Sequence, residues 1–187
     1  THMHTAQLWI ALPDAQRHIA PKFEHYPTLP VVMQDQIEFT ILVGEFLNTT
    51  SPVQVYTPLL GVDLIAQADS QTRIALNPKF EYALIALDGT ACINGHGLNH
   101  DNMLVLECGI SEISLQLTQG DRVLLIGGEP FEAQILLWWN FVGRTMDDMQ
   151  QAREDWVNHA ARFGEIHDYV GKRLEAPPLP EQMRASK

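Results

Sequence analysis

Short apolar stretches alternate with turn-forming residues from Gln7 to about Trp139. In residues 113–117, apolar residues alternate with Ser114 and Gln116, which places the apolar side chains on one face and the polar side chains on the other. Strands are predicted at Gln7–Leu12, Ile37–Glu45, Val53–Thr57, Gly61–Ala66, Thr72–Leu76, Tyr82–Asp88, Thr90–Ile93, Met103–Leu106, Ile113–Leu117, Asp121–Ile126 and Ala133–Trp138. So many short strands are typical of an antiparallel sandwich or barrel.

Turn-forming residues mark where these strands are joined. Asp88-Gly89 is a two-residue hairpin signal, and Asn94-Gly95 interrupts the apolar pattern in the same way. The prolines at positions 13, 21, 27 and 30 predict an extended connection after the first strand instead of a helix.

The pattern changes after Gly143, where the spacing predicts a helix. Thr145 is a suitable N-cap, and the acidic residues that follow it interact favourably with the helix dipole. Apolar residues then recur at helical spacing, at Met146, Met149, Ala152, Trp156, Val157 and Ala160. Gly164 stands where a C-cap is expected. We expect the apolar stripe to pack on the barrel, with a partner-binding face as the alternative.

Composition narrows the classes of function. The 187 residues include 23 acidic and 12 basic side chains, for a formal net charge of −11. Lys172-Arg173 is the nearest approach to a basic cluster, so we expect no direct binding to nucleic acid. No apolar run reaches the length of a membrane span and no signal-peptide pattern is found, which predicts a cytoplasmic protein without membrane contact. Cys92 and Cys108 lack CxxC spacing and are expected to be reduced thiols.

Eight histidines raise the question of a metal site, which needs three or four ligands on a rigid scaffold. His2 and His4 have pair spacing but lie at the terminus of the chain, with no acid at a suitable distance. His96 and His100 are the better candidates, although the glycines around them predict a solvated hairpin loop. The GxSxG, P-loop, GxGxxG and HExxH motifs are missing. We therefore predict no catalytic residue and no metal site, and His96 and His100 are the residues to examine.

The stretch from Trp138 to Arg144 concentrates aromatic side chains between the last strand and the helix. Trp138, Trp139 and Phe141 are candidates for stacking a planar ligand, and Arg144 would hold an anionic group of that ligand. The alternative is structural. In that case the stretch joins the helix to the barrel, and its polar side chains satisfy backbone groups.

Several stretches carry a resemblance to a known family. They are His4–Asp14 (HTAQLWIALPD), Ser51-Pro52-Val53, Leu125–Phe131 (LIGGEPF) and Trp138–Arg144 with the following helix. On these residues the chain resembles the pirin family, specifically the C-terminal half of bacterial pirin-like proteins. The resemblance implies an all-β fold with a C-terminal helix, built on a cupin-like antiparallel jelly-roll β-barrel.

The same resemblance implies an iron site outside this chain. Family members look like bicupins whose first barrel holds a mononuclear iron through a His-x-His pair, a later His and a Glu. None of these ligands has a counterpart here, so we expect no cofactor in this chain and iron only in the family's N-terminal barrel. Reported family roles include a quercetin dioxygenase-like activity and iron-dependent regulation through transcription factors.

Four segments are expected along the chain. Residues 1–6 are an N-terminal remnant or vector-derived sequence, and 7–143 form the barrel. Residues 144–175 form a helical segment packed on that barrel, and 176–187 form a Pro-rich tail.

Three functions are expected from this organisation. The first is a metal-free structural or regulatory barrel, paired with a metal-bearing N-terminal barrel or with a copy of itself in a homo-oligomer. The second is a quercetin dioxygenase-like oxygenase, with its site near His96 and His100 or in the full-length protein. The third is a small-molecule-binding or transcription-cofactor module that uses the barrel cavity or the aromatic residues 138–141.

Overall fold

The computed structural model describes residues 5–164, 170–181 and 183. Its strands are β1 (Val31–Gln34), β2 (Ile37–Val43), β3 (Glu45–Phe46), β4 (Thr49–Thr50), β5 (Leu59–Ala66), β6 (Ser70–Ala75), β7 (Glu81–Asp88), β8 (Ala91–Ile93), β9 (His96–Leu98), β10 (Met103–Leu106), β11 (Glu112–Leu117), β12 (Arg122–Gly128), β13 (Leu136–Trp138) and β14 (Phe141–Gly143). The helix α1 (Met146–Val157) follows, and a 3₁₀ turn occupies Ala161–Phe163. The predicted antiparallel β fold with a C-terminal helix is confirmed.

The chain divides into two compact units. Unit 1 contains residues 5–7 and 25–130, and unit 2 contains residues 8–24 with the described residues from 131 onward. The predicted segment limits at residues 6, 143 and 175 stay a prediction, because compactness does not show which parts fold independently.

Unit 1 is built from two antiparallel sheets. The larger has the strand order β1-β2-β5-β12-β7-β10, and the smaller has the order β6-β11-β8-β9. Ile41, Val62, Leu125 and Leu84 pair in one row across the larger sheet and are completely buried. These side chains pack with Ile74, Ile93, Ile113, Leu115 and Leu117 of the smaller sheet. The core therefore lies between the two sheets.

The smaller sheet has a polar outer face. Along β11, Ile113, Leu115 and Leu117 are buried, whereas Gln116 is exposed and Ser114 is half-buried. This alternation is the pattern of a sheet with one face in the core and one in water.

The outer face of the larger sheet is different over the strands β12, β7 and β10. Paired positions there are apolar, namely Ala83, Ile85, Met103, Val105, Leu124 and Ile126, and we call this set the apolar face. Met103 and Val105 belong to the edge strand and are 57% and 58% exposed. An antiparallel sheet with apolar side chains on both faces is expected to be covered on both.

A partly buried ion pair lies on the same side of the sheet, next to the apolar face. The Arg122 guanidinium donates to both carboxylate oxygens of Asp63, at 2.6–3.1 Å. This bidentate hydrogen bond raises the pKa of Arg122 against the opposing effect of burial. Asp63 is only 8% exposed, so removal of Arg122 would leave a buried carboxylate without this partner.

Unit 2 combines the β13–β14 hairpin with α1. Thr145 is the N-cap, as predicted, and its hydroxyl accepts a hydrogen bond from the Asp148 N–H while the Asp148 side chain accepts from the Thr145 N–H. Met149 and Ala152 of the predicted stripe are buried against Leu136 and Phe141 of the hairpin. This part of the stripe packs on a hairpin next to it in sequence, whereas Met146 and Val157 of the stripe are 36% and 51% exposed.

Three predicted features are wrong. Gln7–Leu12 and Val53–Thr57 form no strand, and Leu8, Trp9 and Ile10 remain 43–54% exposed. Gly164 does not cap α1, which ends at Val157 with Asn158 as its C-cap; Gly164 follows the 3₁₀ turn instead. An apolar alternation forms a strand only where a partner strand is available to receive its hydrogen bonds.

Some predictions concern residues that the structure does not describe, and some strands were not predicted. The His2–His4 pair and residues 165–169, 182 and 184–187 lie outside them. The first strand of the barrel, β1, was not predicted, because the prolines before it indicated an extended connection.

Candidate functional site

The β13–β14 hairpin carries an aromatic residue at its tip. Trp138 pairs with Phe141, so the turn between them consists of Trp139 and Asn140. Trp139 has a φ of 50°, in the left-handed region that disfavours residues with a Cβ. The turn therefore holds an indole at a position that glycine would occupy at lower cost.

Trp139 belongs to a cluster of rings packed edge to face. Its ring centroid lies 5.2 Å from that of Phe141 and 5.3 Å from that of Trp156, with interplanar angles of 67° and 77°. Phe163 meets Trp156 at 5.2 Å and 83°. Such contacts stabilise a fold by about 0.5–1.5 kcal/mol each beyond burial. The result is a set of flat walls at nearly right angles.

His159, the residue after the C-cap of α1, has a left-handed backbone conformation. Its φ is 56°, its N–H donates to the Trp156 carbonyl at 3.3 Å, and the Ala160 N–H donates to the Asp155 carbonyl at 2.8 Å. This is a Schellman motif, in which glycine commonly takes the left-handed position.

The segment 171–174 packs against the end of α1. The guanidinium of Arg173 lies 3.6 Å from the centroid of the Trp156 ring and 3.0 Å from Nδ1 of His159. Trp156 Nε1 donates to the carbonyl of Leu174 at 2.8 Å. Stacking of a guanidinium on an indole and this hydrogen bond together fix the segment in place.

A cavity of about 560 Å³ lies among these groups, and we call it the aromatic cavity. It is lined by Trp139, Asn140, Trp156, His159, Phe163, Gly164, Gly171, Lys172, Arg173 and Leu174. No carboxylate is found among these lining residues, whereas two of them are cations. The volume falls within the range of about 300–1,000 Å³ that is usual for small-molecule sites.

Of the four predicted ligand residues, only Trp139 is among the residues that line the aromatic cavity. Phe141 packs against the ring of Trp139 and is 3% exposed. Trp138 packs on Phe141 at 6.2 Å and is not among the lining residues. Their part in ligand binding stays a prediction.

Arg144 lies away from the aromatic cavity and is heavily engaged. It donates to the Leu12 carbonyl at 2.6 Å and to Asp14 at 3.1 Å, and its guanidinium lies 5.1 Å from the Phe131 ring centroid. Its side chain is only 12% exposed. These contacts suit the structural alternative, because they hold residues 12–14 against the end of the hairpin.

Asp148 is the centre of the adjoining network. Burial raises the pKa of its carboxyl, but hydrogen bonds outweigh that effect and hold the pKa below its ordinary value. The donors are the Arg144 N–H at 2.8 Å, the Arg17 guanidinium at 2.9 Å and the Thr145 N–H at 3.1 Å. One carboxylate thus joins the helix start to the preceding strand and to residue 17.

The candidate metal histidines lie in exposed positions. His96 is in the short strand β9, beyond the Asn94-Gly95 turn, and His100 lies in the following turn with its Nε2 3.3 Å from Asp101. Within the parts of the chain that the structure describes, no three His, Cys, Asp or Glu side chains form a group able to hold a metal ion. His18 lines a smaller cavity of about 280 Å³ beside Asp148.

Unit 1 has a cavity of its own, of about 560 Å³, near the β3–β4 hairpin. Phe46, Phe80 and Tyr82 contribute rings to its wall. Burial raises the pKa of Tyr82, although its hydroxyl accepts a hydrogen bond from the Asn77 N–H at 2.8 Å, which acts in the opposite direction. The hydroxyl is therefore protonated and is bound to backbone.

Two antiparallel sheets that enclose one core, with short hairpins between them, define a jelly-roll barrel of the cupin class. The model of the pirin C-terminal cupin domain matches residues 61–164. The chain belongs to the pirin family, as its sequence motifs indicated.

Similar proteins extend the match over almost the whole chain. A Pseudomonas aeruginosa protein named "Putative quercetin 2,3-dioxygenase" is 42% identical over 98% of this chain and 58% of its own length. A pirin-like protein of Caulobacter vibrioides is 29% identical over 96% of this chain and 60% of its own length. One crystal structure of a quercetin 2,3-dioxygenase from Acinetobacter baumannii matches with a TM-score of 0.91 and 69% identity, over 96% of this chain and 60% of that one. The chain spans about three fifths of the length of these relatives.

Sequence reasoning missed most of the aromatic cavity. Trp156 was assigned to the packing stripe, and Lys172-Arg173 was noted only as a basic pair. Their meeting depends on how the chain returns to the helix after residue 164, which no local pattern encodes.

Proposed function

We propose that this chain is the structural half of a two-barrel pirin-like protein, and that its apolar face packs against a second, metal-bearing barrel. The observation that carries the proposal is the contrast between the two sheets of unit 1. The smaller sheet alternates apolar and polar residues, whereas the larger is apolar on both sides over β12, β7 and β10.

The exposure of the edge strand supports this role. Met103 and Val105 leave more than half of their side chains in solvent, on the last strand of the sheet. Exposed apolar side chains on an open strand edge are unfavourable in water and favour a covering partner.

The length of the relatives supports a barrel as that partner. This chain spans 58–60% of them, so their remaining two fifths are large enough for a further domain. The resemblance to the pirin family implies that this other part is a cupin barrel with a mononuclear iron. In its absence, we expect the apolar face to pair with a second copy of the chain.

The proposal places no catalytic step and no metal in this chain. The candidate histidines support that view, since the imidazole of His100 is 75% exposed and its described ionic partner is a single aspartate. The formal charge of −11 argues against direct contact with nucleic acid, and the two free cysteines suit a cytoplasmic location. No helix in the described part of the chain has the length and apolarity to cross a membrane.

The names of similar proteins favour a second candidate, participation in a quercetin 2,3-dioxygenase-like reaction. We assign that reaction to the two-barrel protein and a supporting role to this chain. Quercetin consumption would then require the second barrel. Turnover by this chain alone, loaded with iron, copper or nickel, would contradict the assignment.

Co-purification tests the pairing. The part of the Acinetobacter baumannii relative that lies outside the match is co-expressed with this chain, and the complex is measured by chromatography with light scattering. We expect a one-to-one complex that Val105→Glu disrupts, because a carboxylate would be buried at the interface. Gln116→Glu, which adds the same charge to the polar sheet, is the matched control and is expected to keep the complex. Equal retention of the Val105→Glu chain would contradict the proposal.

A further inference from the structure

We propose that the aromatic cavity of unit 2 is a binding site for a planar aromatic molecule that carries a negative charge, such as an aromatic carboxylate. The proposal concerns unit 2 alone and does not depend on how the barrel pairs.

The shape of the cavity fits a flat ring system. Trp139 meets Trp156 at an interplanar angle of 77° and Trp156 meets Phe163 at 83°, so neighbouring rings stand edge to face, and Arg173 covers one face of Trp156. The cavity volume of about 560 Å³ has room for a molecule of two or three fused rings. Flat aromatic walls offer offset-stacked and edge-to-face contacts to such a molecule.

The charge of the lining selects the sign of the ligand. Lys172 and Arg173 line the cavity with His159, and no carboxylate is found among the described lining residues. In a chain with a formal charge of −11, a cavity whose described charged lining residues are cations is a local exception. Arg173 is stacked on Trp156 and one of its nitrogens contacts His159 Nδ1 at 3.0 Å, and the guanidinium has further N–H groups that can donate to an anionic oxygen.

Left-handed backbone occurs at two residues that line the same cavity. Two residues other than glycine have a positive φ in the described part of unit 2, Trp139 at 50° and His159 at 56°, and both line it. The positive-φ residues of unit 1 other than glycine fall within residues 35–36, 47–48 and 94, at or beside its short turns. Left-handed residues with a Cβ cost of order 1 kcal/mol each, and such strain gathers at ligand sites. Placing an indole and an imidazole at these positions directs both rings towards one space.

A cationic aromatic ligand is the competing occupant, because aromatic boxes also attract ammonium groups. The two lining cations disfavour it. The proposal therefore predicts an order of affinity among three probes of nearly equal size: 2-naphthoate, then the neutral 2-naphthalenemethanol, then 2-naphthylmethylammonium.

Isothermal titration calorimetry of the full chain with these three probes tests that order. Lys172→Met is expected to weaken 2-naphthoate by about two- to fivefold, the effect of one exposed charge pair, and to leave the alcohol unchanged. Lys79→Met, which removes an exposed lysine from unit 1, is the control and is expected to change neither probe.

Trp139→Gly tests the aromatic wall without straining the turn. Glycine suits a φ of 50°, so the hairpin is expected to keep its fold while the indole is lost. Binding of both 2-naphthoate and the alcohol is expected to fall about tenfold, the loss of one stacking partner. Trp138→Leu removes an indole that does not line the cavity and is expected to retain binding.

Three results would overturn the proposal. They are equal affinity for the anionic and cationic probes, unchanged affinity of Trp139→Gly for 2-naphthoate, and no detectable binding of 2-naphthoate. Thermal unfolding of each variant, followed by circular dichroism, establishes that the comparison is between folded proteins.

Discussion

Asp148 shows how one side chain joins several parts of unit 2. Its carboxylate accepts hydrogen bonds from the backbone at the helix start and from the guanidinium of Arg17. Because these donors favour the charged form, the pKa of the carboxyl is lower in the folded chain than in the unfolded one. The network therefore stabilises the fold only while Asp148 is ionised.

The sign of the pH dependence follows from this lowered pKa. The stabilisation is fully present above the unfolded pKa of about 3.9 and is lost as the pH falls through the lower pKa of the folded state. Asp148→Asn should therefore reduce the free energy of unfolding by about 1 kcal/mol at pH 7 and lose less stability than the wild type on acidification below pH 4.

Urea unfolding followed by tryptophan fluorescence measures this effect, because Trp9, Trp138, Trp139 and Trp156 all belong to unit 2. Asp147→Asn is the control, since it removes a charge from the same helical turn without removing the Asp148 hydrogen bonds. An acid response of Asp148→Asn identical to that of the wild type would contradict the assignment.

Sequence reasoning at this scale succeeded where chemistry is local. A threonine followed by acidic residues identified the N-cap Thr145 correctly, because a capping box needs only four consecutive residues. It failed at Trp139 and His159, whose left-handed backbones are imposed by a two-residue turn and a Schellman motif. No propensity assigns a tryptophan to such a position.

Gly44 shows how a single residue sets the geometry of an element. It has a φ of 83° at the bend between β2 and β3, and a Cβ there would overlap the Leu59 carbonyl oxygen. The Leu59 carbonyl belongs to β5, whose backbone cannot move aside without breaking its pairing with β2. Glycine is therefore required by contact as well as by conformation.

Gly44→Ala should cost about 3 kcal/mol or more of unfolding free energy, the sum of the left-handed backbone penalty and overpacking. Gly95→Ala is a matched control with a φ of 81° and no heavy atom within 4 Å of the added Cβ, and it should cost about 1 kcal/mol. Urea unfolding by far-UV circular dichroism compares the two. Equal losses would show that the predicted overlap is relieved.

Helices and strands could be predicted where residues close in sequence determine their hydrogen bonding. Met103–Leu106 was predicted to the residue, because the turn residues around it isolate one apolar run. Gln7–Leu12 has an equally good pattern, but no strand pairs with it in the described structure. The strand β1 was not predicted because prolines precede it. Strand formation depends on a distant partner, which the pattern does not name.

At the scale of the molecule, fold and site were predictable to different degrees. The motifs identified the family and the barrel, because they are distributed along most of the chain. The aromatic cavity brings together residues 139–140, 156, 159, 163–164 and 171–174, and only Trp139 among them was predicted to bind a ligand. The apolar face likewise depends on which strands are neighbours, since β7, β10 and β12 are far apart in sequence.

The apolar face decides the function that we propose for the chain. If it is an interface, the chain alone must satisfy it by self-association, and one buried charge must prevent that. Val105 is the best probe, because it is 58% exposed on an edge strand and its side chain is not part of the barrel core.

Sedimentation velocity of the chain over increasing concentration measures this most directly. We expect the wild type and the control Gln116→Glu to form a dimer or larger oligomer and Val105→Glu to remain a monomer. A wild-type chain that stays monomeric at the highest concentration, or a Val105→Glu chain that associates as strongly as the wild type, would contradict the account.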